Sequence, residues 1–248
     1  MREIRYFILS LVILGSLFFL FGPEVWPENA QFEELLNSAL ESDIVIIFNS
    51  GGWGNTPLEK AEDFAPIIEG IEKTLRDFGY NSLVIPYNRT KNNLFGKITG
   101  ARDFLNSFQT SSEILAEKVN FLAENLPDKK IILAGLSAGG ALVEETMAKI
   151  SEEAQVYAVA VGIPFWQKTV ESENILLLDN NGKDALSKGE LKSLISVLVK
   201  APFKWISSKI NGDDLTFSQV LQAPGHDYLW DSPEVGPKIV TFLENKIR

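Results

Sequence analysis

Ile131-Ile132-Leu133-Ala134-Gly135-Leu136-Ser137-Ala138-Gly139-Gly140 is an apolar run that ends in Gly-x-Ser-x-Gly. Ala141 to Ile150 follows with helical spacing. Strand, Gly-x-Ser-x-Gly, helix is the context in which the motif reads as a nucleophile elbow. So tight a turn needs small residues on both sides of the serine, and Gly135 and Gly139 are there. Ser137 then sits at the head of a helix, its hydroxyl exposed and backbone N–H groups near it.

Working outward, the other segments alternate in type. Ile44-Val45-Ile46-Ile47-Phe48 is a continuous apolar, largely β-branched run, as in a strand buried on both faces of a parallel sheet. It enters the glycine-rich loop Asn49 to Gly54. A helix with Phe64, Ile67, Ile68, Ile71, Leu75 and Phe78 on one side stops at Gly79. Ser82 to Pro86 reads as a second strand, and Tyr87 to Thr110 as irregular chain. Ser112 is the expected N-cap of a helix carrying Leu115, Val119, Leu122 and Leu126, closed by Pro127. The third strand, Lys130 to Ala134, feeds the serine. Val156–Val161, Asn174–Leu178 and Thr216–Leu221 are the fourth, fifth and sixth strands. Gly189 to Ile210 is mainly helical, and a closing helix spans Pro233 to Lys246. Strands alternating with helices imply an α/β fold with a mostly parallel, doubly wound sheet. The excursions after the second and fifth strands read as loops or a lid.

A serine hydroxyl needs a base, and the base an orienting acid, all at the carboxyl ends of strands. The chain has 1 histidine, His226, in a glycine-bearing loop after the last strand. Two acids follow the fifth strand. Asp184 stands in a turn beyond it and is the first choice; Asp179, at the strand's end, is the alternative. Asp227 adjoins the histidine and is expected to face elsewhere. The oxyanion donors fall to the backbone N–H of Ala138 and of Gly51 or Gly52. The loop carries neither Gly-x-x-x-x-Gly-Lys-Ser/Thr nor Gly-x-Gly-x-x-Gly, which sets aside a phosphate cradle.

Composition removes other classes. With 248 residues and 45% apolar content, the chain suits an α/β domain with a large core. A formal charge of −10 argues against nonspecific nucleic-acid binding. With 0 cysteines there is no disulfide, thiolate metal site or cysteine nucleophile, and one histidine precludes a multi-histidine metal site. No cofactor and no metal are expected.

Tyr6 to Phe21 is free of charge and follows the basic start Met1 to Arg5. Gly22 to Ala30 offers no good cleavage site, and Trp26 lies where an interfacial aromatic would lie. The expected organisation is therefore a cytoplasmic segment 1–5, a transmembrane anchor or uncleaved signal at 6–22, a linker at 23–41 and a catalytic domain at 42–248. Arg2 and Arg5 put the N-terminus in the cytoplasm and the domain outside it, as a single-pass membrane protein. Secretion after cleavage is the alternative.

Gly135-Leu136-Ser137-Ala138-Gly139-Gly140, the Gly51-Gly52 loop, Gly182-Lys183-Asp184 and Gly225-His226-Asp227-Tyr228 together resemble the α/β-hydrolase superfamily from about Ser42 onward. The resemblance implies a three-layer fold, with Ser137 as nucleophile, Asp184 (or Asp179) as acid and His226 as base in the chain order Ser, Asp, His. Asn49 stands where many members carry the histidine of a His-Gly motif. The first antiparallel strands of larger members have no counterpart, as in small esterase-like members. The implied activity is a serine hydrolase cleaving a carboxylic ester, a lipid ester or thioester included. The alternatives are an inactive hydrolase-fold binding or scaffolding domain at the membrane, and an acyltransferase on the same fold. In 189–210, lysines interspersed with Leu191, Leu194, Ile195, Leu198, Val199, Phe203, Trp205 and Ile206 read as an ordinary packed helix or as an interfacial lid over anionic lipid.

Overall fold

The computed structural model describes residues 36–90, 94–150, 155–167, 170, 172–212, 220 and 222–248. Five parallel strands form one sheet among these residues: β1 Ile44–Asn49, β2 Ser82–Tyr87, β3 Lys130–Leu136, β4 Val156–Val161 and β5 Ile175–Leu178, in the spatial order β2-β1-β3-β4-β5. Every residue of β1 is buried, as its unbroken apolar run requires for a strand covered on both faces.

The period-two alternation of strand side chains sorts the core into two layers. Val45, Ile47, Ile131, Leu133, Ala158 and Ala160 point to one face. There they meet helices α3 (Gln109–Asn125) and α4 (Ala138–Met147), through Leu115, Val119, Leu122, Leu142 and Val143. Ile44, Ile46, Phe48, Ile132, Val159 and Val161 point to the other, against α1 (Ala65–Asp77) and the closing helix α7 (Gly236–Ile247). The result is helix layer, sheet, helix layer. Burial of each such isoleucine or leucine stabilises the fold by about 1.5–3 kcal/mol.

Strand order reverses between β1 and β3, since the chain moves outward to β2 on one side and to β4 and β5 on the other. A crevice opens outside the carboxyl ends at such a point. The loop after β1 and the Ser137 turn after β3 both lie there.

Two expectations need correcting. The stretch read as irregular, Tyr87 to Thr110, contains helix α2, Leu94–Leu105. The reversal that follows it holds Ser107 and Phe108 at φ of 53° and 59°. Left-handed Phe108 caps α3, so that helix starts at Gln109 and Ser112 lies inside it, its hydroxyl donating to the Gln109 carbonyl at 2.9 Å. A phenylalanine is not a recognisable cap in sequence; it is held there by burial, at 0% exposure.

After β5 come α5 (Ala185–Lys188) and α6 (Leu191–Asn211). Leu191, Ile195, Val199, Phe203, Ile206 and Ile210 of α6 are exposed. Their spacing of three and four residues puts them on one side of the helix. The expected sixth strand, 216–221, lies outside the described residues except for Val220, which is buried and helical, not extended. The expected anchor at 6–22 and most of the linker lie outside them too; 36–40 of that linker are helical. Among the described residues no helix is long and apolar enough to cross a membrane.

Candidate active site

β3 ends at Leu136 and α4 begins at Ala138, leaving a single residue for the turn. That residue, Ser137, has φ 55° and ψ −116°. A serine held at positive φ is strained, at a cost on the order of 1–3 kcal/mol. The surroundings hold it: its N–H donates to Val161 O at 2.7 Å, and its carbonyl accepts from Ala141 N–H at 2.9 Å. Gly139 is required by close approach, because a Cβ there would fall 2.1 Å from Asn49 O and 2.7 Å from Ser50 O. Ala138 is the first residue of α4, so its N–H has no acceptor within the helix and opens onto the crevice end.

His226 Nδ1 lies 2.7 Å from Asp184 Oδ2. Asp184 is wholly buried, and its two oxygens accept from every side: Oδ1 from Leu186 N–H at 2.8 Å and Ser187 N–H at 3.3 Å, Oδ2 from Ser187 Oγ at 3.0 Å and Tyr228 Oη at 2.6 Å. Burial alone would push this carboxyl up. The hydrogen bond and charge of His226, with the bonds from Tyr228 and Leu186, outweigh burial and hold it down at about 2. An ionised carboxylate only accepts, so the imidazole carries its proton on Nδ1 and leaves Nε2 free to accept one. Burial, then the adjacent Asp184, raises the Tyr228 phenol, which therefore stays a donor.

The loops bearing the acid and the base are stitched together. Ala185 N–H donates to Pro224 O at 2.9 Å, and Asn180 Nδ2 to Gly225 O at 2.9 Å. Gly225, at φ 75°, lets the two backbones touch; a Cβ there would fall 2.1 Å from Lys183 O. The imidazole rests against Gly162, where a Cβ would come within 2.6 Å of its Cε1. Ser137 is tied to Val161, the preceding residue. Serine and imidazole thus converge on the same tip of β4.

On the other side of Ser137 runs the loop after β1. A Cβ on Gly51 would lie 3.7 Å from Ser137 Cβ, so this backbone passes beside the serine. Gly52 is exposed at φ 55° in the turn closed by Gly54 N–H to Gly51 O at 3.0 Å. Buried Asn49 donates through Nδ2 to Ile47 O at 3.0 Å and Ala134 O at 3.4 Å, bridging β1 and β3 beneath the loop. Arg89, 2% exposed, donates through Nη2 to Ser50 O at 3.3 Å and Gly52 O at 3.1 Å. Thr90 Oγ1 donates to Trp53 O at 2.7 Å.

Of the residues expected from sequence, Ser137, Ala138, Gly51, Asp184 and His226 come together at the carboxyl edge. Between the two acids, Asp184 bonds the histidine; Asp179 is exposed at the end of β5 and makes no side-chain cap bond. Asp227 is exposed. Tyr228, Ser187 and Arg89 escape a sequence reading. Tyr228 carries a faint signal, two residues past the histidine in an otherwise loop-like stretch. Arg89 has none, since a lone arginine after a strand reads as surface. Among the described residues no group of three or more histidines or carboxylates is placed to hold a metal ion.

Fold and site together define a doubly wound parallel α/β protein with a buried aspartate–histidine pair and a strained serine at its switch point. No protein-family model and no curated protein matches the chain. Among solved structures it is similar to Trichoderma reesei cutinase in complex with a C11Y4 phosphonate inhibitor, with a TM-score of 0.45 and 17% identity over 76% of this chain and 87% of that one.

Proposed function

We propose that the chain is a serine hydrolase of the α/β-hydrolase type, cleaving a carboxylic ester through an acyl-enzyme. One observation carries this reading: a non-glycine residue, Ser137, is held at φ 55° at the mouth of a helix and bonded to Val161, next to the Gly162 against which rests a histidine whose Nδ1 is bonded to a buried carboxylate. Strain of this kind persists only where its surroundings enforce it, and a serine that merely turned the chain would not need a base. In the reading, His226 Nε2 takes the Ser137 proton as Oγ attacks the acyl carbon. Asp184 holds the tautomer and stabilises the imidazolium that forms. The N–H groups of Ala138 and of Gly51 or Gly52 meet the developing oxyanion. The imidazolium then protonates the departing alcohol, and water, activated by the same histidine, releases the acid.

The domain is 42–248, and the apolar stretch 6–22 anchors it to a membrane on the extracytoplasmic side. The exposed face of α6 favours a lipid ester as substrate: six apolar side chains on one side of a helix with Lys192, Lys200, Lys204 and Lys209 suit an anionic lipid surface.

The test is covalent labelling of Ser137 by a fluorophosphonate, with turnover of a p-nitrophenyl ester series. Labelling and turnover that vanish in Ser137→Ala support hydrolysis. A folded wild type that neither labels nor turns over would leave a binding domain, and acyl transfer to an added alcohol in preference to water would mark an acyltransferase.

A further inference from the structure

Arg89 is the largest fully buried polar side chain among the described residues, and it is not part of any ion pair within 4.0 Å there. Its guanidinium stacks 4.8 Å from the centre of the Phe108 ring. Asp103, which would balance its charge, is bonded instead to Ser111 Oγ at 2.7 Å and acts on Arg89 only through space. Burial lowers the Arg89 pKa to about 10, so the group remains a cation at neutral pH. Its Nε has no partner among the described residues. Burying a charge on these terms is expensive, and an apolar side chain of similar size would fill the space at lower cost. What the cation gains is a grip on two carbonyls of one loop, Ser50 O and Gly52 O.

Those two bonds decide where the loop's N–H groups point. In a planar trans peptide the C=O and the following N–H lie antiparallel. With Ser50 C=O turned to Arg89, the Gly51 N–H is turned away from it; with Gly52 C=O turned to Arg89, so is the Trp53 N–H. The Arg89 N–H to Gly54 O bond at 2.7 Å and the Thr90 hydroxyl on Trp53 O fasten the same loop from the same side. Gly51 is the residue whose backbone passes beside Ser137. The Gly52 N–H is oriented differently, because its peptide carbonyl, Gly51 O, is spent on the turn to Gly54.

We infer that Arg89 is a positioning residue that aims the Gly51 N–H at the oxyanion formed on Ser137, and that Gly51, not Gly52, is the second donor. This rests on the hydrolase reading above. The buried cation also polarises the peptides it holds, which strengthens the N–H dipole on the far side. Without it, the Ser50 carbonyl loses the side-chain donor that turns it away from the serine; rotated toward the serine it would repel the oxyanion that the Gly51 N–H of the same peptide is placed to stabilise.

The experiment compares wild type, Arg89→Met and Arg89→Lys on p-nitrophenyl acetate and against an alkyl trifluoromethyl ketone, whose hemiketal oxyanion occupies the same donors. Loss of one oxyanion donor costs about 100-fold to 1,000-fold in kcat. Arg89→Met is expected to lose about 100-fold in kcat with KM within about twofold, and ketone Ki to rise by the factor lost in kcat/KM. Arg89→Lys, which keeps the charge and one donor direction, recovers part of the loss. A merely structural arginine would lower Tm and leave the kinetics of the folded fraction intact. Should Arg89→Met fail to fold, Arg89→Gln replaces it: it removes the charge and the reach to both carbonyls while keeping a polar head in the same space, and is expected to give the same kcat and Ki signature. A folded variant with wild-type kcat, or one in which KM alone moves, overturns the assignment while the hydrolase reading stands. A wild type inert toward ester and ketone overturns both.

Discussion

Replacing Asp184 with asparagine tests the site where the geometry is most demanding. Five donors face its two oxygens: two backbone N–H groups on Oδ1, and Ser187 Oγ, Tyr228 Oη and His226 Nδ1 on Oδ2. An amide supplies one acceptor oxygen and one NH2. If the oxygen stays on the α5 cap, the NH2 meets the other three. The two hydroxyls can rotate to accept, but the imidazole accepts at Nδ1 only by moving its proton to Nε2. The ring then presents a donor to Ser137 and can no longer take its proton. An error of tautomer at such a base lowers kcat by about 10,000-fold, or about 5.4 kcal/mol of transition-state stabilisation. If the amide flips instead, two backbone N–H groups lose their acceptor, and stability falls by about 1–3 kcal/mol for each buried donor left unpaired. Asp179→Asn is the matched control. That carboxylate is exposed and caps nothing, so kcat is expected to stay within about twofold. The assay is burst-titrated kcat on a p-nitrophenyl ester, with circular dichroism to establish folding. A folded Asp184→Asn retaining a tenth of wild-type kcat, or an Asp179→Asn that collapses it, refutes the reasoning.

Acid stability should report the same carboxyl. Its pKa is lowered from 3.8 to about 2, so its contribution of about 2 kcal/mol is whole above about pH 4 and is lost as pH falls through 2. Urea midpoints should therefore fall more steeply between pH 4 and pH 2 in wild type than in Asp184→Asn, and parallel curves would contradict this. Tyr228→Phe removes the 2.6 Å bond to the carboxylate and should cost about 1.5–3 kcal/mol by denaturant titration, with a smaller loss of kcat than Asp184→Asn. Gly139→Ala drives a Cβ into Asn49 O and Ser50 O, backbone atoms that cannot swing aside, and should lower stability by about 1–3 kcal/mol together with activity. On α6, Phe203→Ser with Ile206→Ser should leave turnover of a soluble acetate ester unchanged and weaken binding to anionic vesicles at least about tenfold, since each removes about 1.5–3 kcal/mol of apolar transfer. Unchanged partitioning would remove α6 from the membrane surface.

Much of the fold was legible because parallel strands covered on both faces announce themselves as unbroken apolar runs. The four observed strands that read this way, and β2, begin within a residue of where their patterns begin. The missed helix α2 is marked more weakly: Gly96 and Gly100 interrupt the apolar spacing of Leu94–Leu105, and the cap of the next helix is a phenylalanine. The serine and the histidine were legible for a different reason. A Gly-x-Ser-x-Gly turn needs small residues at fixed offsets, and a chain with one histidine offers one base. Local sequence favoured Asp184 over Asp179 without excluding the latter, because both follow the same strand within six residues.

What the sequence determined alone, then, is whatever is written in short-range spacing: strand against helix, the elbow at Ser137, the loops that can reach a carboxyl edge. The tertiary structure decided the matters that depend on approach between distant segments. Asp184 became the histidine's partner because Gly225 lets its loop press against Lys183, and Asp179 was left in solvent. Arg89 became a buried clamp on the Gly51 loop because β2 lies beside β1 in the sheet. Burial and hydrogen-bond direction are properties of a packed neighbourhood, and a chain read in one dimension holds the residues of that neighbourhood without their contacts.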